Sequence, residues 1–545
     1  MTSALLLKVS IICISILIIM GTVSHKNYIT SKEKRMQLLE KDRQLIILLN
    51  SYAVELQDKI DTLRGVAKAF RERLYEANGR EEEYLSNPLK NLFLVRQMHE
   101  DWDPVEKFMQ QTVGQDYNSV QIKSIEKLHQ DIPSQDDLNE ASQAIFQIIH
   151  AYDLEPKDVA RGLVDGVQYS GNLSAKDCIA MGRYSLKTGN FKVASKWLNL
   201  AKVLLMDRPR KYHEVMAVTH TDVALLLARY LIGSGNVSSA LEMLTKDSMF
   251  GETGKAVAWH FYDNAPPPRT HLVSTEWKES FNHLCRSVSR RQSKGSKPMR
   301  LHCRYNTTTA PFLKLAPFRM EELSLSPYIV LYHNVLSDGE IEKLERMSEL
   351  FLKRSTVINV KNNTRHVSPT RTADGVWLPL PHTKLDDRML LSRISLRIGD
   401  LTGLDMTHGR AMQFLKYGFG GHFVPHHDYF NSKTPLLEAV GDRFATVLFY
   451  LNNVAHGGAT AFPKLNIAVP TQKGSALFWH NIDGQSYDYE DLTFHGACPL
   501  ISGTKMVLTR WIDELDQMFL LPAVIPPRSR NFSSILRNSV LQNYK

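Results

Sequence analysis

The chain has 545 residues, more than one hydrophobic core normally organises, so we expect several folded units. Its hydrophobic content of 43% and charged content of 23% are those of a globular protein and exclude a largely disordered chain. The net charge of +9 is spread along the sequence without a basic run interleaved with aromatic residues, which argues against nucleic-acid binding.

The N-terminus carries an apolar run from Val9 to Gly21, preceded by Lys8 and followed by small residues. This pattern predicts a secretory signal peptide over residues 1–24 and no membrane span after its cleavage. The run is short for a span, which needs about 20 residues, so a retained signal anchor is the alternative. In the secretory pathway five sequons are open to glycosylation: Asn172, Asn236, Asn306, Asn362 and Asn531.

A seven-residue repeat of large side chains follows the signal. One ladder consists of Leu49, Leu56 and Leu63, and a second, four residues out of phase, consists of Leu38, Leu45 and Tyr52. Such a seam is typical of a coiled coil or a dimer-forming helical hairpin, and we assign residues 25–150 to a helical dimerisation region. The alternative is a helix that packs only within its own domain.

Residues 165–255 contain an internal repeat. Gly189-Asn190 and Gly235-Asn236 each separate two apolar-periodic segments, and each pair is followed by an alanine at the same offset. The repeat predicts two stacked helical hairpins of a tetratricopeptide-like, peptide-binding domain with a concave groove. A helical spacer without a binding role is the alternative.

Residues 256–325 are Pro-rich and basic and are predicted to form a linker. Within it, Cys285 and Cys303 flank a Ser-rich, basic segment (Arg286–Arg300) that we interpret as a loop. We expect these two cysteines to form a disulfide across that loop.

Residues 326–520 have the texture of a β domain, followed by a tail over 521–545. Ser337 and Glu340 form a capping box for one helix. Short β-rich runs then alternate with glycine turns, which predicts a jelly-roll (double-stranded β-helix) domain. The runs are 411–417, 422–428, 444–451, 476–479 and 506–511.

The segment Pro425-His426-His427-Asp428 offers two metal ligands. On a strand, His426 and Asp428 face the same side and His427 faces the other. One imidazole and one carboxylate make two thirds of a facial triad, which with a second histidine binds Fe(II) and leaves positions open for a cosubstrate and O₂. By itself the pair would be interpreted as a salt link at a strand end.

Two further residues lie downstream. His495 is separated from Asp428 by enough chain for several strands, so a barrel can return it beside the first two ligands. Lys505 lies one strand beyond His495, where an ammonium can hold the distal carboxylate of a dicarboxylic cosubstrate.

Residues 326–515 resemble the catalytic domain of the collagen-type prolyl 4-hydroxylase α subunits. The similar stretches are Tyr417-Gly-x-Gly-Gly, Pro425-His-x-Asp428, Phe449-Tyr-Leu, Gly457-Gly-Ala-Thr-x-Phe-Pro463, Phe478-Trp479, His495-x-Ala-Cys-Pro499 and Lys505 through Trp511. The upstream order of signal, helical segment, tetratricopeptide-like domain and Cys-flanked linker is similar as well.

The resemblance implies an enzyme, a procollagen-proline 4-dioxygenase that uses Fe(II), O₂ and 2-oxoglutarate, with L-ascorbate restoring oxidised iron. It implies iron ligation by His426, Asp428 and His495, and pairing of 2-oxoglutarate with Lys505 and Tyr417. It also places Arg443 and Trp511 near the site, in substrate orientation or, for Trp511, in core packing.

The resemblance further implies partners and an address. Protein disulfide isomerase would join two α chains in an α₂β₂ tetramer and hold them in the endoplasmic reticulum lumen. We expect this chain to depend on it, because Leu541–Lys545 is not a retrieval signal. Two other functions stay open: a lumenal hydroxylase of another protein, on proline or lysine, and a non-catalytic peptide-binding subunit.

The sequence departs from the family in two places. The cysteine that would pair with Cys498 is missing from Phe519–Ala523, so we expect Cys498 to be a free thiol, with Cys178 as the alternative partner. The peptide groove keeps few aromatic residues, which puts a preference for long proline-rich repeats in doubt. The retained rings are Tyr184, Phe191 and Tyr230, and the other groove positions are Leu186, Leu226, Arg229 and Ile232.

Overall fold

A computed structural model describes residues 31–55, 60–110, 132–206, 213, 215–246, 276–294, 302–359, 364–380, 383–406, 411–431, 441–483 and 488–517. The predicted signal peptide and the tail over 521–545 lie outside these residues. Among the helices that the structure describes, none combines the length and the apolar content needed to cross a membrane.

The first half of the described chain is helical apart from one short hairpin. The helices are α1 Lys32–Glu55, α2 Ile60–Tyr75, α3 Glu81–Ser86, α4 Pro88–Arg96, α5 Trp102–Gln110, α6 Gln135–Tyr152, α7 Pro156–Ala160, α8 Ala175–Lys187, α9 Phe191–Leu204, α10 His220–Gly233, α11 Val237–Lys246 and α12 Glu276–Lys294. A π-helical turn, Gln97–Asp101, joins α4 to α5. The hairpin consists of β1 Leu163–Val164 and β2 Val167–Gln168, joined by an Asp165-Gly166 turn with positive φ at both residues.

The heptad residues near the start of the chain pack within this chain. Leu38, Leu45 and Leu63 are buried in a core that α1 and α2 share. For these three positions the alternative of a helix packed in its own domain is therefore the one observed. The side chains at the other heptad positions, Leu49, Tyr52 and Leu56, lie outside the described residues, and a contact between two chains there stays a prediction.

The internal repeat folds into two helical hairpins, α8–α9 and α10–α11. Gly182 is in α8, and a Cβ atom there would lie 2.6 Å from Cδ2 of Leu198 in α9. Ala194 and Ala201 are fully buried on the same seam. Small side chains thus let the paired helices approach, as the repeat predicts. Tyr184 packs edge-on against Phe146 of α6, with ring centroids 5.8 Å apart, so part of its ring supports the fold.

The second half of the chain forms two main sheets. A nine-stranded sheet has the order β3-β4-β5-β16-β12-β19-β10-β9-β6, and a four-stranded sheet has the order β11-β17-β14-β15. The strands are β3 His302–Asn306, β4 Phe318–Leu325, β5 Tyr328–His333, β6 Lys353–Arg354, β7 Thr356–Asn359, β8 Thr364–Val367, β9 Asp374–Leu378, β10 Met412–Tyr417, β11 Phe423–His426, β12 Arg443–Tyr450, β13 His456–Gly457, β14 Thr460–Phe462, β15 Ile467–Val469, β16 Ala476–His480, β17 His495–Ala497, β18 Leu500–Ser502 and β19 Lys505–Asp513. The strands predicted from the glycine-punctuated runs are confirmed to within about two residues.

Two apolar cores lie on opposite faces of the nine-stranded sheet. One face packs against α13 (Asp338–Ser348) and α14 (Leu385–Thr402), and α13 begins at the predicted Ser337–Glu340 capping box. The other face packs with the four-stranded sheet through Trp479 and Phe462. The helical region joins this β unit, since Tyr152 donates a hydrogen bond to the Pro499 carbonyl at 2.8 Å.

The segment predicted as a linker is partly ordered structure. Residues 276–294 form α12, whose buried stripe includes Phe281, Leu284, Cys285 and Val288, so the loop interpretation of Arg286–Arg300 is wrong as far as Lys294. The helical spacing of that stripe was the signal. Strands β3 and β4 already belong to the nine-stranded sheet. The domain boundary at residue 326 is therefore too late.

The disulfide prediction is also wrong, and so are the expectation that Cys498 is a free thiol and the alternative that it pairs with Cys178. Cys285 bonds to Cys498, across a sequence separation of 213 residues, and this bond fastens α12 beside the strand that begins with His495. Of the cysteines that the structure describes, Cys178 is buried and free, and Cys303 is exposed and free. Cys303 lies on β3, at the edge of the nine-stranded sheet, and Cys285 is buried on α12 with Cys498 as its partner.

This pairing leads to a prediction about stability. Replacing Cys285 or Cys498 with serine should cost about 2–4 kcal/mol of unfolding free energy, because the bond closes a long loop. Each single variant should lower the thermal midpoint as much as the double variant. Cys303→Ser is the matched control and should leave the midpoint unchanged. An equal loss in Cys303→Ser would contradict the observed pairing.

One predicted glycosylation site is inaccessible. Asn306 is buried, and its amide donates hydrogen bonds to Thr309 and to the Leu401 carbonyl. Attaching a glycan there would replace one of the two donating hydrogens and place a sugar in a buried site. Asn172 and Asn236 are exposed, whereas Asn362 and Asn531 lie outside the described residues.

Candidate metal centre

Three potential ligands converge between the two sheets. His426 ends β11 and pairs in register with His495 at the start of β17. Asp428 lies two residues past the end of β11 and turns back towards both rings. Its two carboxylate oxygens are 3.5 Å from Nε2 of His426 and 3.9 Å from Nε2 of His495. One ligand atom from each residue falls within 4.8 Å of the others.

Backbone carbonyls orient both imidazole rings. Nδ1 of His426 lies 2.9 Å from the Val424 carbonyl, and Nδ1 of His495 lies 2.9 Å from the Thr493 carbonyl. A carbonyl can only accept, so each Nδ1 carries a proton, and Nε2 is the nitrogen of each ring that faces the carboxylate and can bind a metal. Burial also lowers the pKa of His495 to about 4, which keeps this ring neutral at physiological pH.

A chain of hydrogen bonds holds the Asp428 carboxylate. Its Oδ2 accepts from Thr446 Oγ1 at 2.7 Å, and that hydroxyl oxygen accepts from the Asn481 amide at 2.9 Å. Burial works against ionisation of Asp428, but His495 and His426 outweigh it and hold the pKa of this carboxyl well below its usual range. The carboxylate is therefore ionised and fixed in position.

Lys505 lies in the same pocket, at the start of β19. It lies opposite Tyr417 of the neighbouring strand β10, and its ammonium nitrogen is 5.8 Å from the centre of the Tyr417 ring. Nζ donates to the Gly458 carbonyl at 2.7 Å and lies 3.5 Å from Oγ1 of Thr460. Burial lowers the pKa of Lys505 to about 7. An anion beside it would reverse that shift by stabilising the ammonium.

Arg443 and Trp511 stack on each other beside the ligands. The guanidinium carbon of Arg443 is 3.8 Å from the centre of the Trp511 ring, and Nη1 donates to the Asp428 carbonyl at 3.2 Å. Trp511 also lines the metal pocket. Trp511 therefore both stacks on Arg443 and contributes to the lining of the pocket.

His427 points away from the cluster. Its ring stacks on Tyr429 with centroids 4.6 Å apart, and Nε2 lies 3.3 Å from the Asp491 carboxylate. The alternation of a strand thus holds across His426, His427 and Asp428, although Asp428 itself is in a bend.

Several pocket residues were not identified from the sequence. Thr446 interrupts the apolar run from Phe444 to Phe449 on β12, and that contrast was an available signal. Arg371 precedes β9 and reaches the pocket, where its guanidinium carbon lies 4.8 Å from the centre of the Phe423 ring and one nitrogen donates to Gln413. Nothing in its local sequence distinguishes Arg371 from a surface arginine.

The donor set fits one class of metal. Two imidazole nitrogens from the neighbouring strands β11 and β17, with the Asp428 carboxylate beside them, form the two-histidine, one-carboxylate arrangement that binds Fe(II) on one face of the ion. The buried ammonium of Lys505 provides an anchor for an anionic group within the same pocket.

Comparison with known proteins gives two family matches. Residues 31–166 match the family described as the prolyl 4-hydroxylase alpha-subunit, N-terminal region, and residues 412–513 match the 2OG-Fe(II) oxygenase superfamily. The second match contains all three potential ligands, Tyr417 and Lys505.

Similar proteins extend over most of the chain. Prolyl 4-hydroxylase subunit alpha-1 of Mus musculus is 26% identical, covering 92% of this chain and 97% of that one. Prolyl 4-hydroxylase subunit alpha-3 of Rattus norvegicus is 30% identical, covering 81% and 84%. A solved structure of the viral collagen prolyl hydroxylase from Paramecium Bursaria Chlorella virus-1 is 19% identical, covering 34% of this chain and 95% of that one, with a TM-score of 0.27.

Proposed function

We propose that this chain, which belongs to the prolyl 4-hydroxylase alpha-subunit family, hydroxylates C4 of peptidyl proline in collagen-like proteins. The chain is a 2-oxoglutarate- and Fe(II)-dependent dioxygenase of the prolyl hydroxylase type. The observation that carries the proposal is the convergence of His426, Asp428 and His495 in one pocket with the buried ammonium of Lys505.

The three ligands and three neighbouring residues have proposed roles. His426, Asp428 and His495 hold Fe(II) on one face, and Lys505 with Tyr417 binds the C5 carboxylate of 2-oxoglutarate. When bound, iron and 2-oxoglutarate supply the oxidising chemistry, which consumes O₂ and gives succinate and CO₂. Thr446 fixes the carboxylate ligand through its hydrogen bond to Asp428.

The peptide has a proposed path across the molecule. The α8–α11 hairpins, as a tetratricopeptide-like domain over 165–255, would hold the chain flanking the target proline. The two β sheets, as a jelly-roll domain, would present the metal. Arg443 and Trp511 lie beside Asp428 and would orient the proline ring. Because the groove has few tyrosines, we infer a broader peptide preference than long proline repeats.

Turnover of 2-oxoglutarate with defined peptides tests the proposal. The complex should release succinate when given (Pro-Pro-Gly)-type peptides and should place the hydroxyl on C4 of proline, as read by mass spectrometry. Hydroxylation of lysine instead would favour the related lumenal enzyme. Binding of the peptide with no succinate released would favour the non-catalytic subunit.

We propose protein disulfide isomerase as the partner, in an α₂β₂ tetramer in the endoplasmic reticulum lumen, with ascorbate maintaining the iron. The support is family membership together with the heptad positions Leu49 and Leu56. Expression with and without the isomerase tests the partnership. A soluble, active monomer made without it would contradict the tetramer and leave the hydroxylase assignment intact.

The lowered pKa of Lys505 predicts how cosubstrate binding depends on pH. The ammonium is the form that pairs with a carboxylate, and it predominates below about pH 7. Affinity for 2-oxoglutarate should therefore be greatest below pH 7 and fall by about tenfold per pH unit above it, up to the higher pKa of the bound state. Calorimetric titration with Mn(II) in place of iron measures this. Constant affinity between pH 6 and 9 would contradict it.

A further inference from the structure

The direction of the Lys505 ammonium depends on one backbone carbonyl. Lys505 is a flexible side chain with three N–H donors. One donates to the Gly458 carbonyl at 2.7 Å, and Oγ1 of Thr460 lies farther away, at 3.5 Å. The position of the Gly458 carbonyl therefore decides where the remaining donor points.

The backbone at Gly458 does not fix that carbonyl by itself. Gly457 and Gly458 have φ values of +84° and +72°, a region that glycine enters and leaves freely. Strand β13 supplies only two residues, His456 and Gly457, and its pairing with β18 shifts register between them. The backbone bonds beside these glycines are a long one, 3.4 Å from the Gly458 N–H to the Pro499 carbonyl, and one of 2.9 Å from the Cys498 N–H to the Ala459 carbonyl. Neighbouring side chains add to this hold.

The side chain of His456 is held from the helical region. Its Nδ1 lies 2.8 Å from the Tyr169 hydroxyl, and its Nε2 lies 3.3 Å from the Asp165 carboxylate. The rings of Tyr169 and His456 are parallel to within 8°. One neutral tautomer satisfies all three groups, since the tyrosine donates to Nδ1 and Nε2–H donates to the carboxylate.

Asp165, the last residue in this series of hydrogen bonds, is itself held in place. Asp165 stands in the tight turn between β1 and β2, its side chain is 2% exposed, and it also accepts a hydrogen bond from Ser289 of α12. Tyr152 of α6 contacts the same segment, because its hydroxyl bonds to Pro499 and lies beside Gly457. The side chain of His456 is thus held directly by residues in and beside the β1–β2 hairpin, which α12 supports through Ser289, and α6 contacts the glycine that follows His456.

We propose that His456 is a positioning residue for the cosubstrate: through Tyr169 and Asp165 it fixes Gly457 and Gly458, and so aims the Lys505 ammonium at the carboxylate of 2-oxoglutarate. This inference rests on the proposed function. It gives the helical region a direct part in cosubstrate binding, besides any part in holding peptide. His456 itself touches neither the metal pocket nor its ligands.

Two variants test the inference with Mn(II) in place of iron and without turnover. Tyr169→Phe removes the hydroxyl, and with it the hydrogen bonds to His456 and Ser502, and keeps the stacked ring. It should weaken 2-oxoglutarate binding by about three- to tenfold, the effect of one neutral hydrogen bond. His456→Leu should weaken it further. His456→Gln should restore part of the affinity, because the amide can accept from Tyr169 and donate to Asp165.

The matched control is Tyr332→Phe. Tyr332 is also buried and also donates one hydrogen bond of 2.8 Å, to the Leu401 carbonyl in the core on the far side of the nine-stranded sheet. This variant should leave 2-oxoglutarate affinity unchanged. Mn(II) affinity should be the same in all variants, since the ligand cluster is not altered.

Three results would overturn the inference. One is equal 2-oxoglutarate affinity in the wild type, Tyr169→Phe and His456→Leu. Another is a parallel loss of Mn(II) and 2-oxoglutarate affinity, which would show a general structural role. Failure of the wild-type complex to bind 2-oxoglutarate at all would overturn the proposed function, and this inference with it.

Discussion

Replacing His426, Asp428 or His495 with alanine is expected to abolish hydroxylation. Losing a partner that merely orients a ligand costs about 10–100-fold in metal affinity or activity, so losing a ligand should cost more than about 100-fold. The loss should also appear without turnover, as weaker binding of Mn(II) by calorimetry, because two donors remain where the ion needs three. The backbone should stay folded, as His426 is the last residue of β11 and Asp428 lies in the bend after it.

His427→Ala is the matched control for this prediction. His427 lies between two of the ligands in sequence, but its ring contacts Tyr429 and Asp491 on the other side. Metal affinity should be unchanged and turnover should fall by less than about threefold, the cost of an exposed contact. If His427→Ala proved as inactive as His426→Ala, His427 would have to act in the site.

Replacing Lys505 with alanine is expected to raise the Michaelis constant for 2-oxoglutarate by at least about 30-fold. Truncating one partner of a buried, hydrogen-bonded charge pair costs about 2–5 kcal/mol, since it leaves the other charge desolvated. Mn(II) affinity should change little, because Lys505 is not a ligand. Lys505→Arg should recover only part of the affinity, as a planar fork must fit a space that encloses an ammonium.

Lys416→Ala provides the control. Lys416 is the residue before Tyr417 on β10, so its side chain leaves the opposite face of the sheet, where it pairs with Glu33 of α1 at 2.8 Å. Removing it deletes a neighbouring lysine without touching the pocket, and the Michaelis constant for 2-oxoglutarate should be unchanged. An unchanged constant in Lys505→Ala would show that another group holds the cosubstrate.

Short-range pattern was enough for much of the fold and for the candidate site. The alternation of strand residues brought His426 and Asp428 to one side, the Ser337–Glu340 pair marked the start of a helix, and glycine turns marked the strands around them. These features depend on backbone geometry over a few residues, which the local sequence encodes directly. Identifying His495 and Lys505 as site residues required information beyond local pattern, which the resemblance to a known family supplied.

The disulfide and the ends of the linker were decided by tertiary structure. Cys285 and Cys498 are far apart in sequence, and they meet only because α12 packs beside the four-stranded sheet. The prediction favoured Cys303 because it is near in sequence, but proximity along the chain says little once a helix and a strand separate two residues. The apolar residues of α12 recur at helical spacing in the sequence, but the basic residues between them led to the prediction of a loop.

The hydrogen bonds that hold the metal ligands and position Lys505 could likewise not be predicted from the sequence. Thr446 is on β12 and Asn481 directly follows β16. His456 is held by Asp165, which lies in a turn 291 residues earlier in the chain. By itself the sequence determined which residues can carry the chemistry, because residue type and local spacing set ligand chemistry. Only the tertiary structure decided how they are held, because hydrogen bonds between distant segments exist only after the chain has packed.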